Sequence, residues 1–245
     1  MKQKILVSSL LMIFGLSFFT VFSQKSDAFS DFLQRDFQSP ESVINFFAQS
    51  VAKNNLEDAL STFAINQQAD LFDLAAQAKR LKAIVSFNLT PSKYPMYAQL
   101  NRVLLIGEFS RSIQVFCYSL LSSEDFSRPA IEVSSESKVS IFINSIDPKK
   151  LVNLKVIRIE PIFIENLKAF QAEAMTRGAN NVVERVVLYE INGSYFVGTF
   201  RLFQYGKYWR IFSFKSFNVI LNLNQEGSVL KTTPKEFERI ARQLK

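Results

Sequence analysis

The 245-residue chain carries 29 Lys and Arg against 22 Asp and Glu, a formal charge of +7, with no histidine and one cysteine. The missing histidine removes the commonest general base near neutral pH and the commonest metal ligand, and it excludes Ser-His-Asp and Cys-His arrangements within the chain. The single Cys117 excludes an internal disulfide, and bases that are spread out, with Lys79-Arg80 and Lys149-Lys150 the only adjacent pairs, do not make a nucleic-acid footprint.

Met1-Lys2-Gln3-Lys4 is short and positive, Ile5 to Phe22 is apolar apart from Ser8, Ser9, Gly15, Ser17 and Thr20, and polar residues follow from Ser23. That order is the layout of a secretory signal. Cleavage after Ser23 would release Gln24; cleavage after Ala28 would release Phe29. No cysteine lies near either point, so a lipoprotein anchor is not supported. The alternative is retention, because the apolar run is near the ~18-residue lower limit of a membrane span. Its N-terminal charges would place the rest of the chain outside in either case. The expectation is an exported protein of the extracellular space, periplasm or cell envelope, touching the membrane only through residues 5–22 if they are kept. Loss of residues 1–23 removes Lys2 and Lys4 and no acid, which lowers the charge from +7 to +5. A mildly basic surface of this kind favours anionic envelope groups weakly.

The remainder, with 25 Phe in the chain, has ample length and apolar content for a real core. Residues 24–38 form a polar lead-in. Ser39 reads as an N-cap with Pro40 at the first helical position, and Val43, Phe46, Phe47 and Val51 give one apolar helical face. A second helix starts at Leu56 with Glu57-Asp58 at its positive end. A third is predicted from about 69 to 85, with Leu71, Leu74, Ala78, Leu81 and Ile84/Val85 facing in. Residues 96–107 fit either state and are read as helical. From Ile113 the period turns toward two, predicting strands at Ser112–Leu121, Glu132–Asn144 and Leu154–Ile164, then a short helix over 165–176. Val182–Glu190, Tyr195–Phe203 and Tyr208–Phe214 are strands joined by turns at Asn192-Gly193 and Tyr205-Gly206. Asn218–Leu223 extends the sheet, and Thr233-Pro234-Lys235-Glu236 is a capping box that opens a final helix over 234–244. The fold class is α+β: N-terminal helices packed on a curved, mostly antiparallel, cone-like sheet, with a C-terminal helix. It is read as a single domain over residues 39–245.

Ser39-Pro40-Glu41-Ser42-Val43-Ile44-Asn45-Phe46-Phe47, followed by Lys53-Asn54-Asn55-Leu56-Glu57-Asp58-Ala59-Leu60, resembles the opening of nuclear transport factor 2-like domains. Tyr195–Phe203 with Gly206-Lys207-Tyr208-Trp209-Arg210-Ile211 is similar to their closing hairpin. The resemblance covers about residues 39–64 and 183–214, and the middle, about 127–176, is longer than such domains carry, which suggests an insertion. It implies helices that close over a curved sheet and leave an apolar pocket. Some members are enzymes and many are binding or accessory domains. The dehydratase pattern needs a histidine that is missing here, and no local motif maps the isomerase carboxylate and phenol, so no catalytic residue is carried over.

Three further signals bear on function. Ser50-Val51-Ala52-Lys53 matches the Ser-x-x-Lys of penicillin-binding enzymes. Ser135/Lys138 and Ser228/Lys231 match it too, and the partner motifs are missing, so coincidence is the preferred reading. Cys117, between Phe116 and Tyr118 on a predicted strand, reads as a small buried residue. The aromatic meander supplies the ligand-pocket candidates Phe196, Gly198, Phe200, Tyr208, Trp209 and Phe212, with Gly198 making room for a ligand or bending the strand. The competing reading of these residues is plain core. Asn88-Leu89-Thr90 and Asn192-Gly193-Ser194 match the glycosylation pattern. No cofactor, metal or nucleic acid is implied. The expected function is an exported non-enzymatic domain that binds an apolar or amphipathic small ligand between helices and sheet. The alternative is a cell-envelope interaction or scaffold protein with a solid core.

Overall fold

The computed structural model describes residues 35–84, 87–122, 136–214 and 226–244. The expected N-terminal signal, most of the polar lead-in, the start of the expected insertion and the expected extension at Asn218–Leu223 lie outside the described residues. Helices α1 (Pro40–Ala52), α2 (Leu56–Leu60), α3 (Ile65–Leu71), α4 (Leu74–Leu81), α5 (Pro95–Leu121) and α6 (Glu136–Ser145) come first. A 3-10 turn (Pro148–Asn153) then leads to β1 (Lys155–Ile162), α7 (Leu167–Thr176), β2 (Asn181–Ile191), β3 (Ser194–Tyr205), β4 (Tyr208–Ser213), β5 (Leu230–Thr232) and α8 (Pro234–Gln243). No helix among the described residues is long and apolar enough to cross a membrane.

Local chemistry accounts for most of these boundaries. The Ser39 hydroxyl accepts from the Ser42 amide at 3.1 Å, and the Ser42 hydroxyl accepts in return from the Ser39 amide at 3.2 Å. That reciprocal pair satisfies two donors that the first turn of α1 leaves orphaned. Asn55 caps α2 through the Asp58 amide at 3.0 Å, and Thr233 caps α8 through the Glu236 amide at 3.2 Å. Asn192 and Gly193 both take positive φ, 50° and 78°, as a two-residue hairpin turn between β2 and β3 requires.

β1 to β4 form an antiparallel meander in chain order, and β5 pairs with the start of β3 on the edge that β4 occupies farther along. Register partners such as Tyr189↔Phe196 and Arg185↔Phe200 put the odd residues of β2 and the even residues of β3 on one face. This inner face packs Val187, Tyr189, Phe200 and Leu202 against Phe47 of α1, Phe63, and Phe116 of α5. The outer face is covered in two places. At one end Val186, Leu188 and Val197 meet Phe237, Ile240 and Ala241 of α8. At the other, Val182, Phe203 and Tyr205 meet Ala174 of α7. The outer edge of β4 is bonded to irregular chain: the Trp209 amide donates to the Phe37 carbonyl and the Ile211 amide to the Thr62 carbonyl, both at 2.9 Å. An edge strand satisfied in this way offers no template for pairing.

The α+β architecture with helices on a curved antiparallel sheet and a C-terminal helix agrees with the sequence reading. Three elements differ. The predicted third helix is two: Asp73 caps α4 by accepting from the Ala76 amide at 2.9 Å, which breaks the run between Leu71 and Leu74. Leu71, Leu81 and Ile84 are then exposed rather than facing in. The predicted strand Ser112–Leu121 is the second half of the 27-residue α5. Its buried residues Leu105, Phe109, Ile113, Phe116 and Leu120 recur at helical spacing, and the hydroxyls of Ser112 and Ser119 donate back to the carbonyls of Glu108 and Val115. Burial of one helical stripe overrides the β propensity of Ile113, Val115, Phe116 and Tyr118. The predicted strand at 132–144 is likewise the helix α6 over its described part. Within the stretch read as an insertion, β1 pairs with β2 from Lys155↔Glu190 to Ile162↔Glu184 as an outer strand of the sheet.

Candidate functional site

The aromatic meander packs tightly. Phe200 has 0% exposure, its ring 5.9 Å from that of Phe47 and 5.1 Å from that of Phe214. Phe47 in turn meets Phe116 at 5.2 Å and Phe63 at 5.8 Å, edge to face. Phe196 and Trp209 are buried in the same cluster. A Cβ placed on Gly198 would stand 2.9 Å from Val229 Cγ1 and 3.5 Å from Tyr189, so the room that this glycine makes is filled by Val229. Tyr208 is half-buried beside a shallow surface notch with Asp36, Asp70 and Arg102. Phe212 departs from the rest. It lies on the outer face, stacked on Phe203 at 4.1 Å and 8°, and it lines a cavity.

That cavity, about 390 Å³, sits at the β4 edge, where α3, α4 and α5 of the inner layer meet α7 of the outer one. Its apolar walls are Phe72, Phe87, Leu89, Leu105, Phe109 and Phe212, and its polar ones include Gln68, Glu108, Glu173, Arg177, Arg201 and Glu226. Specific local features bring them together. Asn101, with 0% exposure on α5, accepts from the Thr90 amide and hydroxyl at 2.8 Å and donates to the Thr90 carbonyl at 2.8 Å, pinning the loop that carries Phe87 and Leu89. Gly178, at φ 76°, ends α7; a Cβ there would fall 2.4 Å from Leu71 Cβ, so only glycine lets the end of α7 lie against the end of α3. Gly227, at φ 91°, lies so close to α5 that a Cβ would meet the Ser112 carbonyl oxygen at 2.2 Å. Ser112 is one helical turn after Glu108 on α5, and Glu226, next to Gly227, lines the same cavity as Glu108.

The charges are arranged unevenly. Arg201, 2% exposed, is held by Glu184, whose Oε1 accepts from Nε at 2.8 Å and from Nη2 at 2.5 Å, with Glu173 at 3.9 Å from Nη1. Its guanidinium also lies 4.3 Å from the Phe170 ring. Arg177 is clamped between rings, 4.7 Å from Phe212 and 5.8 Å from Phe72, and donates through Nη1 to Gln68 Oε1 at 2.7 Å. Glu173 Oε1 lies 3.8 Å from Arg177 Nη2, and among the described residues lining the cavity two buried donors remain without a partner, Arg177 Nε and Gln68 Nε2. Burial pulls the Arg177 guanidinium below its ordinary range, against the nearby Glu173 and Glu108. Glu108 stands at the rim. Burial against the cavity wall and the like charge of Glu226 push its carboxyl up, and Arg177 opposes them. The residues lining the cavity include no tyrosine.

The other candidates sit apart from it. Ser50 is 1% exposed and its hydroxyl donates to the Phe46 carbonyl at 2.8 Å, while Lys53 lies at the exposed end of α1. Cys117 is half-buried on α5, and burial pushes its thiol up to about 12, far from a thiolate nucleophile. No group of metal-ligating side chains is found among the described residues. Sequence reasoning did not find Gln68, Glu108, Arg177 or Glu226. Their one visible signal is the pair of glycines, Gly178 and Gly227, directly after Arg177 and Glu226.

No family model matches the chain, and no curated protein sequence does. Among solved structures, a cystatin-like protein from Ruminococcus gnavus ATCC 29149 is similar over 85% of this chain, with a TM-score of 0.56 and 18% identity. The chain spans 44% of the length of that protein. The likeness shows the fold: an α+β domain of cystatin-like type, to which nuclear transport factor 2-like folds are related.

Proposed function

We propose that this chain is an exported, non-enzymatic binding domain of nuclear transport factor 2-like type that holds an amphipathic small molecule in the cavity at the β4 edge. The observation that carries the reading is Gln68. It is 1% exposed, lines the cavity, and keeps Nε2 without a partner beside apolar walls. An unpaired buried donor costs about 1–3 kcal/mol, which a ligand oxygen would recover. The volume of about 390 Å³ lies in the range of small-molecule sites. The non-enzymatic part rests on a chain without histidine, on the enclosed Ser50 hydroxyl, and on the raised Cys117 thiol. Export rests on the layout of residues 1–28.

The test is the mass of the full chain purified from the envelope fraction of its own host, under native and then denaturing conditions. A mass excess that disappears on denaturation is expected, and bare chain in both conditions would contradict it. A second reading, an envelope interaction protein, is favoured by Met96, Leu100, Val103 and Leu104, an exposed apolar stripe on α5. That reading predicts bare chain and a retained protein partner.

A further inference from the structure

We propose that the cavity is a zwitterion site, taking a molecule that carries a carboxylate and an ammonium group on one small apolar body, as an amino acid does. The inference rests on the binding reading above and deepens it.

The floor and the rim of the cavity ask for opposite charges. On the floor, the two orphaned donors belong to one unit, because Gln68 Oε1 holds Arg177 Nη1 at 2.7 Å while Gln68 Nε2 and Arg177 Nε stay unpaired. Glu173 stands 3.8 Å from Arg177 Nη2, beyond hydrogen-bond range, so the Arg177 Nε–H and the Gln68 amide N–H each still lack an acceptor, which a carboxylate oxygen can supply. Stacking between Phe72 and Phe212 fixes the guanidinium plane before any ligand arrives, so little entropy is lost in using it. The rim is acidic. Arg201 and Glu173 also line the cavity, but Arg201 is taken by Glu184 and Glu173, which leaves Glu108 and Glu226 with Arg177 as the cation beside them. A bare organic anion would meet these two carboxylates on its way to Arg177, whereas an ammonium group placed between them offsets their repulsion. Leu105 and Phe109 lie along the same wall and offer an apolar surface for a side chain. A plain amine leaves the floor donors unpaired, and a plain acid adds a charge of the same sign to Glu108 and to Glu226, whose Oε1 accepts from the Phe214 amide at 3.3 Å. Only a molecule with both groups satisfies the two ends together.

The experiment is isothermal calorimetry of the full chain, cleared of any co-purified ligand, against the twenty protein L-amino acids. It is followed by the decarboxylated amine and the deaminated acid of the best binder. The proposal expects one or more apolar amino acids to bind at least about tenfold more tightly than either analogue, each loss corresponding to an unpaired buried or charged group. It also expects Glu108→Gln, at the exposed rim, to weaken the amino acid while leaving the deaminated acid unchanged or tighter. An amine or acid that binds as well as its parent amino acid would overturn the zwitterion assignment and leave the cavity a ligand site. Failure of every amino acid overturns it too, and the native mass then separates the cases: a different bound molecule keeps the binding reading, and bare chain removes both.

Discussion

Phe200 and Phe212 stand on neighbouring strands of one meander, yet they belong to two differently built regions. Phe200 looks inward to a cluster where Phe47, Phe116 and Phe214 fill the space ring against ring, and where the Tyr189 hydroxyl is the one buried side-chain polar atom among the described residues left without a partner. Phe212 looks outward, after a register shift between Arg201 and Leu202, to a cavity where guanidinium and carboxylate groups converge and two donors stay unpaired. The first region gains stability from close packing of its rings. The second gives some up, since unpaired polar groups and like charges are costs unless something binds there. In this domain the aromatic meander marks the core, whereas the cavity at the sheet edge is marked by converging charged groups.

The largest expected effect comes from breaking the core. Phe47→Ala, at 0% exposure, should lower the unfolding free energy by about 3–5 kcal/mol in a urea titration, whereas Asn88→Trp at the cavity mouth should change it by less than about 1 kcal/mol. Next is the ion pair behind the cavity. Glu184→Ala removes the nearer carboxylate from the buried Arg201, and should cost about 3 kcal/mol by the same titration.

A smaller effect separates the regions by pH. The Glu108 carboxyl titrates above its ordinary 4.5 in the folded chain, because burial and Glu226 disfavour its charge more than Arg177 favours it. A raised folded pKa contributes stability that is complete below the unfolded value and lost as pH rises through the folded one. Glu108→Gln should therefore gain on the wild type between pH 4 and pH 7, while Phe47→Ala keeps a constant deficit. Urea midpoints at both pH values check this, and a Glu108→Gln difference independent of pH would contradict it. The smallest expected effect is at Cys117, whose raised thiol should react with a thiol reagent at pH 8 only slowly until urea opens the core.

The elements with strong local punctuation were legible in the sequence. Ser39-Pro40, Asn192-Gly193 and Thr233-Pro234 each carry their structure in a few side chains, and the structure places a cap or a turn at all three. The reading failed where tertiary burial decides: Ser112–Leu121 is helical because one stripe of α5 faces the sheet, a fact that no local window contains. The site was less legible still. Gln68, Glu108, Arg177 and Glu226 come from three helices and a loop, and nothing in their spacing brings them together. Gly178 and Gly227 do so, through backbone approaches that can be seen only after folding.

The most direct test of a ligand site at the β4 edge is a side-by-side native and denaturing mass measurement of the wild type and Asn88→Trp, both purified from the host envelope. The wild type should carry a mass excess that denaturation removes, and the variant, folded but with an indole across the cavity mouth, should be bare. An equal excess on both proteins would place the ligand elsewhere, and bare chain in both would mean that the cavity holds none.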